Sequence, residues 1–477
     1  MSGNPSVAII GGGLAGLAAT ALLCEREFEI ELFEAKRFLG GRAGSFVDPE
    51  SGELVDHCQH VAMGCCTAFL DFCQRTGVEH LFRRHHVLHF FSPEGKRHEF
   101  AASRWLPAPL HLTSAMARLS YLSWSEKLGI ARALRSLCRE AATPSVEGDV
   151  REDINTWLQR RGQSQQVIER FWSVVLVRAL GNKLENASVA AARKVFLDGF
   201  LSHRNAYEVI VPQAPLGEIY ERGIASWLRE RGVVIHVATP IEKIQVVENK
   251  VPNLTYGDSI RAFDYYVVAT DWQALPRLLD SEVTQPLDIP WSRFTGSPIT
   301  SIHLWFDRPI MQLPHAVLVD RFTQWIFKVH PAVDASAIQQ PHAQEFYYQA
   351  VVSASSVLRQ QSREATIARV LADLRTVFPD ASLANLLRFR ILTQPNAVFS
   401  YTPKLDNVRP RQQSPIRNLL LAGDWTSTGW PSTMESAVRS GYLAAGEIFR
   451  KEGCDDVAWP ESLPRSWLVR TLLGVDH

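Results

Sequence analysis

Ser6-Val-Ala-Ile-Ile-Gly11-Gly-Gly13-Leu-Ala-Gly16, followed by Phe28-Glu-Ile-Glu-Leu-Phe-Glu34, decides the fold of this chain. Val7, Ile9 and Ile10 predict a short buried strand. Gly11, Gly13 and Gly16 then place G-x-G-x-x-G at the turn into a helix. Gly11 permits the tight turn, Gly13 lets a pyrophosphate approach bare backbone, and Gly16 lets the helix pack close to the strand. The first turn of that helix presents free N–H groups and a positive dipole end to the phosphates. A second strand, residues 30–33, ends in Glu34, and an acid about 20 residues past the glycines is placed for ribose hydroxyls. A lone glycine fingerprint also describes an ordinary glycine-rich loop. Here strand, turn, helix, second strand and terminal acid follow in order, so a dinucleotide site is expected.

Composition bounds the rest. The 477 residues exceed one ordinary domain, which predicts two interleaved domains. Lys plus Arg and Asp plus Glu are 50 each, so nothing in the net charge points to nucleic acid. The seven cysteines are odd in number and form no C-x-x-C, so neither a disulfide framework nor a metal site is expected. A reducing compartment follows, with no room for a signal peptide before Val7 and no apolar run long enough for a membrane span. The expectation is a cytoplasmic protein, soluble or peripheral.

Along the chain, a helix is expected over about 65–75 and short strands over 80–100, with a turn at Ser92-Pro-Glu-Gly95. Helical periodicity runs over 113–138, with Ser123-Trp-Ser-Glu126 as a helix start. Leucines alternate there with Arg118, Lys127, Arg132, Arg135 and Arg139. Such helices suit a bilayer surface, and equally an ordinary domain with solvated arginines. Residues 143–150 read as a linker and 153–198 as helical. A helix over 218–231 precedes strands at 233–237, 241–247, 251–256 and 265–270. Further strands at 298–306, 322–327 and 345–353 predict a sheet lining a cavity with Trp305, Trp325, Phe327, Phe346, Tyr347 and Tyr348. A helix over 362–378 and a strand over 387–393 follow. Near the end, 418–425 reads as a buried strand closing on Gly423-Asp424, and Ser432 with Glu435 reads as a capping box opening a helix.

Leu39-Gly40-Gly41-Arg42-Ala43-Gly44-Ser45 resembles the glycine-glycine-arginine segment of the flavin amine oxidase and phytoene desaturase superfamily. The Gly423 to Gly441 block resembles the C-terminal flavin motif of the same superfamily. The resemblance implies FAD rather than NAD, held through Gly11, Gly13, Gly16, Glu34, Ala35, Gly41, Arg42, Val237, Gly423, Asp424, Thr433 and Met434. It implies an α/β fold: a Rossmann-type FAD-binding domain (1–78, 208–285 and 395–452) interleaved with an α+β substrate-binding domain (79–207 and 286–394). A tail, 453–477, would follow, with Trp467, leucines and two arginines suited to a membrane surface or to docking on its own domain.

Over nearly its whole length the chain further resembles the squalene-associated hydroxysqualene dehydroxylases. The residues are Gln59-His60-Val61, Leu106-Pro-Ala-Pro-Leu-His-Leu112, Phe171-Trp172, Asp198-Gly-Phe-Leu201 and Ser297-Pro-Ile-Thr-Ser-Ile-His-Leu-Trp305 with Asp307-Arg-Pro309. Cys58 stands where a glycine is usual, and 329–343 fits poorly. The resemblance implies reductive loss of the allylic hydroxyl of hydroxysqualene, giving squalene. Such a reaction needs an apolar slot, a proton donor and exclusion of water. His60 is the candidate donor, against a purely structural role. The partners implied are the long isoprenoid substrate, an unidentified electron donor, upstream squalene-pathway enzymes and the cytoplasmic face of the inner membrane. A carotenoid or phytoene desaturase and a non-catalytic flavoprotein scaffold are the competing readings.

Overall fold

Ser6–Ile10 lies at the centre of a five-stranded sheet in a computed structural model, with all neighbours parallel. The structure describes residues 4–139, 152–279, 287, 289–329, 345–400, 402–405, 408–454 and 460–475. In spatial order the strands are Val234–His236, Glu29–Phe33, Ser6–Ile10, Tyr265–Val268 and Leu419–Leu421. Ile10 registers with Phe33 on one side and Val268 on the other, and Val268 with Leu421. The strands therefore end together, leaving Gly11, Glu34, Ala269 and Ala422 along one edge. In open parallel sheets that carboxyl edge is where ligands bind.

Helix Leu14–Leu23 is buried on every side, which explains its run of alanines and leucines without a polar face. One side packs on the sheet, and helix Met434–Lys451 crosses the other. The crossing is close: a Cβ on Gly441 would stand 2.1 Å from the Ala15 carbonyl oxygen.

The second unit is built on a seven-stranded sheet. Its order is Leu386–Phe399, Gly296–Phe306, Phe346–Ser353, Trp325–Lys328, His315–Leu318, Leu88–Phe91 and Arg97–Phe100. Helix Arg363–Val377 covers one face, packing Val370 and Leu374 on Ile302, Leu304 and Tyr348. The opposite face meets helices between residues 124 and 201, where Trp157, Trp172 and Leu176 join Phe327 and Val351 in one core. Two of those helices contain π-turns, Ile168–Trp172 and Leu197–Leu201. Such turns rotate the following side chains out of the helical register and are frequent at functional sites.

Most expected elements form, and Ser123 and Glu126 close their capping box reciprocally (2.7 and 3.3 Å). Several expectations change. The helix expected from residue 65 begins at Thr67, with Cys66 as its N-cap. Residues 241–246 form no strand, and Val247 makes one isolated bridge to Lys250. The domain boundary expected at 394/395 falls inside strand Leu386–Phe399, which stays paired as far as Gly296–Phe399. The aromatic residues do not share one face. Strand alternation sends Trp305, Tyr347, Trp325 and Phe327 to the helical side, and Phe346 and Tyr348 to the side covered by helix Arg363–Val377. The linker expected at 143–150 lies outside the described residues.

Gly441→Ala should part the two crossing helices, because the added carbon meets backbone rather than a yielding side chain. A loss of roughly 1–3 kcal/mol is expected from overpacking, read as a lowered thermal midpoint. An unchanged midpoint would show that the crossing is loose.

Candidate functional site

The turn after Ser6–Ile10 needs glycine for measurable reasons. Gly11 has φ +112, and a Cβ there would lie 2.6 Å from the Ala269 carbonyl oxygen. A Cβ on Gly16 would lie 1.9 Å from the Gly11 carbonyl oxygen. Gly13 differs: an added Cβ meets only the Gly41 Cα, at 3.9 Å. Its open side faces the Gly40-Gly41 turn, which bridges to it in parallel fashion. Two glycines thus serve the fold, and the third keeps a cradle open.

The other expected residues gather around that cradle. Glu34 accepts hydrogen bonds from Gly12 N (2.7 Å) and Lys36 N (2.8 Å). Its carbonyl takes Thr239 N and that of Lys36 takes Ala238 N, which sets Val237 beside the exposed Ala35. Gly423 adopts φ +139, and its N–H donates to Ser440 Oγ (2.7 Å). Asp424, 4% exposed, receives Arg42 on one carboxylate oxygen and Ser432 Oγ on the other. Arg42 also donates to the Ala397 carbonyl (3.2 Å), tying the site to the second sheet. Thr433, not Ser432, caps helix Met434–Lys451, accepting from Ser436 N (3.3 Å). The expected Ser432–Glu435 box is absent because both side chains are engaged elsewhere. Glu435, fully buried, accepts from Ala68 N, Phe69 N and Arg439.

This cradle suits a dinucleotide. Gly13 leaves space where a pyrophosphate would pass. Thr270 Oγ1, at the end of the neighbouring strand, is buried without a hydrogen-bond partner. The N-terminus of the 18-residue helix Met434–Lys451 adds a positive dipole end.

Sequence reasoning missed the buried Arg409, whose guanidinium holds the carbonyls of Asp424 (2.6 Å), Trp425 (3.2 Å) and Trp430 (2.7 Å). It lies in a Pro-Arg-Gln stretch that reads as surface. A second network was also missed. Tyr347 donates to His303 Nδ1 (2.7 Å), His303 Nε2 donates to Ser301 Oγ (3.1 Å), and Ser301 Oγ donates to the His57 carbonyl (2.5 Å). Gln349 Nε2 reaches the Asp56 carbonyl (3.3 Å). Burial pushes the His303 ring down to about 3, so it is neutral and carries one proton, as this chain of bonds requires. The network fixes the backbone leading to His60. Polar residues at alternate positions of an otherwise apolar strand, Ser301 and His303, were the available signal.

His60 itself is half-buried. Its Nδ1 lies 2.8 Å from the Cys58 carbonyl. A carbonyl only accepts, so Nδ1 carries the proton. Burial pushes the ring down to about 4, with the Cys58 bond opposing that shift. At neutral pH Nε2 is therefore a bare acceptor, with no hydrogen-bond partner among the described residues. The expected role of proton donor does not fit this tautomer. Among the described residues no cluster of His, Cys, Asp or Glu is placed to hold a metal.

Gly13→Val should fold, because an added Cβ there meets only the Gly41 Cα, at 3.9 Å, yet bind no FAD. The purified protein should be colourless, with a cooperative unfolding transition. Yellow Gly13→Val protein with full flavin content would remove the pyrophosphate from this turn.

The sequence pattern of the family described as "Flavin containing amine oxidoreductase" matches residues 14–449. Curated relatives include a zeta-carotene desaturase of Synechocystis sp., 25% identical over 94% of this chain and 97% of that protein. A 15-cis-phytoene desaturase of Glycine max is 24% identical over 93% of this chain and 79% of that protein. Among solved structures, cyclohexylamine oxidase from Brevibacterium oxydans superposes with a TM-score of 0.68 at 17% identity, covering 94% of this chain and 100% of that one. An oxidoreductase from Methanosarcina mazei gives 0.67 at 16% identity, covering 93% and 100%. At such identities the structures speak for the fold alone. The match across both the glycine turn's helix and the C-terminal helix makes the chain an FAD-dependent oxidoreductase, a member of the flavin-containing amine oxidoreductase family.

Proposed function

We propose that the chain reductively removes the allylic hydroxyl of hydroxysqualene to give squalene. Gly11, Gly13, Glu34, Ala35, Arg42, Val237, Asp424 and the Thr433-Met434 helix end hold the dinucleotide. When bound and reduced, FAD supplies the hydride that takes the place of the hydroxyl, which leaves as water on taking one proton.

The observation that carries this reading is a convergence. The segments resembling hydroxysqualene dehydroxylases are far apart in sequence, but Leu112, Phe171, Trp172, Phe200 and Ile299 share one apolar cluster. Cys58 and Val61 pack on that cluster from the cofactor side. The reading requires an isoprenoid slot to open along this cluster and to exclude water from the carbon that reacts. His60 Nε2 accepts the substrate O–H and holds the C–O bond in one orientation; the proton comes from another group. The second reading, carotenoid desaturation, is favoured by the printed names of the curated relatives, and there the same bare imidazole would take a proton.

Anaerobic incubation of photoreduced protein with hydroxysqualene, beside an aerobic incubation with phytoene, separates the readings. Squalene formed with stoichiometric flavin reoxidation is the expected result. Desaturated phytoene would replace the proposal with the second reading, and no product from either would leave a flavoprotein scaffold.

His60→Phe keeps ring volume and removes both nitrogens. Flavin content should persist while the rate falls by roughly 10²-fold through lost orientation of the hydroxyl. The wild-type rate should show no inflection from His60 between pH 5 and 8, because protonation of this ring sets in only as pH falls towards about 4. An unchanged His60→Phe rate would confine the residue to structure.

A further inference from the structure

The tail does dock on its own domain, and docking it completes a surface. Ser466 caps helix Trp467–Leu473 and donates to the Ala108 carbonyl (3.0 Å). Val469, Leu473 and Val475 bury against Ala108, Cys138 and Leu197. Arg135 Nε donates to the Leu472 carbonyl (3.3 Å). Three segments distant in sequence are thus clipped together: residues 103–112, helix Trp124–Arg139 and the tail helix. Each turns a tryptophan outward. Trp105 is 84% exposed, Trp467 74% and Trp124 69%.

These are not scattered apolar residues of the ordinary kind. Leu106, Leu110, Leu128 and Leu472 are exposed beside them. On helix Trp124–Arg139, residues 124, 128, 132, 135 and 139 fall on one stripe, reading Trp, Leu, Arg, Arg, Arg. Arg104 lies over the Trp105 ring (5.4 Å) and Lys127 over the Trp124 ring (4.7 Å). The charge is one-sided. Residues 103–139 and 460–475 carry Arg104, Arg118, Lys127, Arg132, Arg135, Arg139, Arg465 and Arg470 against only Glu126 and Glu461, in a chain that balances 50 basic with 50 acidic residues. Glu126 is occupied in its capping box and Arg465 pairs with Asp198.

We propose that this composite surface seats the protein on a bilayer carrying anionic phospholipid, with Trp105, Trp124 and Trp467 entering the interface. Tryptophan prefers the headgroup level, and arginine beside it meets lipid phosphate. No described helix is long and apolar enough to cross a membrane, so attachment is to one face. The surface also has a use. Leu197 and Leu201 of the π-turn pack against the docked tail, while Phe200 of the same turn packs on the proposed isoprenoid slot. An isoprenoid dissolved in the bilayer would enter beside this turn. That use rests on the proposed function; the attachment itself does not.

The test is co-sedimentation of the flavin-loaded full chain with vesicles of phosphatidylcholine alone or with phosphatidylglycerol added. Wild type should pellet with the phosphatidylglycerol vesicles, less so in high salt. Trp105→Ser, Trp124→Ser and Trp467→Ser together should weaken binding by roughly tenfold or more, with flavin content and thermal midpoint kept. Should the triple variant lose its fold, Trp105→Ser alone, at the most exposed of the three, should still weaken binding measurably. Wild type left in the supernatant with every vesicle would overturn the proposal and favour a partner protein on this surface. Equal binding by wild type and the folded triple variant, or by wild type and Trp105→Ser where the triple variant is unfolded, would overturn it too. Turnover of detergent-dispersed substrate should be unaffected by these substitutions, so failure of attachment and failure of the proposed reaction are read separately.

Discussion

The buried carboxylate of Asp424 is the constraint on which the cofactor domain depends. A carboxylate removed from water must be paired and hydrogen-bonded, or it destabilises the fold by several kcal/mol. Its partners come from two stretches, Arg42 near the N-terminus and Ser432 across the loop, while Arg409 holds the backbone carbonyl of the same residue. Satisfying one group therefore fixes the glycine-arginine turn, the final strand and the start of helix Met434–Lys451 relative to one another. Arg42 extends the constraint to Ala397 on the long strand of the second sheet. The cofactor cradle and the substrate sheet are held by the same guanidinium, so the two domains cannot be positioned independently.

Local signals were legible where a residue's reason is local. The strand–turn–helix at Ser6 to Leu23 was readable because glycine sterics, apolar alternation and the acid Glu34 all lie within about thirty residues. The Gly423-Asp424 block was legible for the same reason. What could not be read depends on partners far along the chain. Ser432 and Glu435 have capping-box spacing, yet Asp424 takes the first and helix Thr67–Arg75 takes the second. Arg409 sits among polar residues, and only the folded loop shows that it is a buried staple. The aromatic sheet was foreseen, but not which rings share a face. Face assignment needs the register against two neighbours, and that register is set by pairing across about fifty residues.

The π-turns at Ile168–Trp172 and Leu197–Leu201 belong to the helices beside the second sheet; a third, Ile219–Ile224, lies in the cofactor domain. In each, an inserted residue breaks the helical stripe and re-aims the side chains that follow. The first two place Phe171 and Phe200 in or against the cluster on which Cys58 and Val61 also pack. They also carry Phe171-Trp172 and Asp198-Gly-Phe-Leu201, two of the segments by which the chain resembles the dehydroxylases. Backbone irregularity and family-specific sequence coincide at the proposed slot.

Dehydroxylation and desaturation differ in where one proton goes, and the fold alone does not decide it. Desaturation removes a proton from carbon and requires an acceptor; dehydroxylation gives a proton to a departing oxygen and requires a donor. The Tyr347–His303–Ser301 chain is satisfied from end to end, so its protons are committed to holding the His57 carbonyl. His60 presents an acceptor and is too deeply placed to charge readily at neutral pH. In a dehydroxylase that acceptor can only orient the hydroxyl, and the proton must reach the oxygen by another route. In a desaturase it could serve as the base outright. The chemistry thus turns on whether a second group, on the far side of the substrate oxygen, completes the transfer.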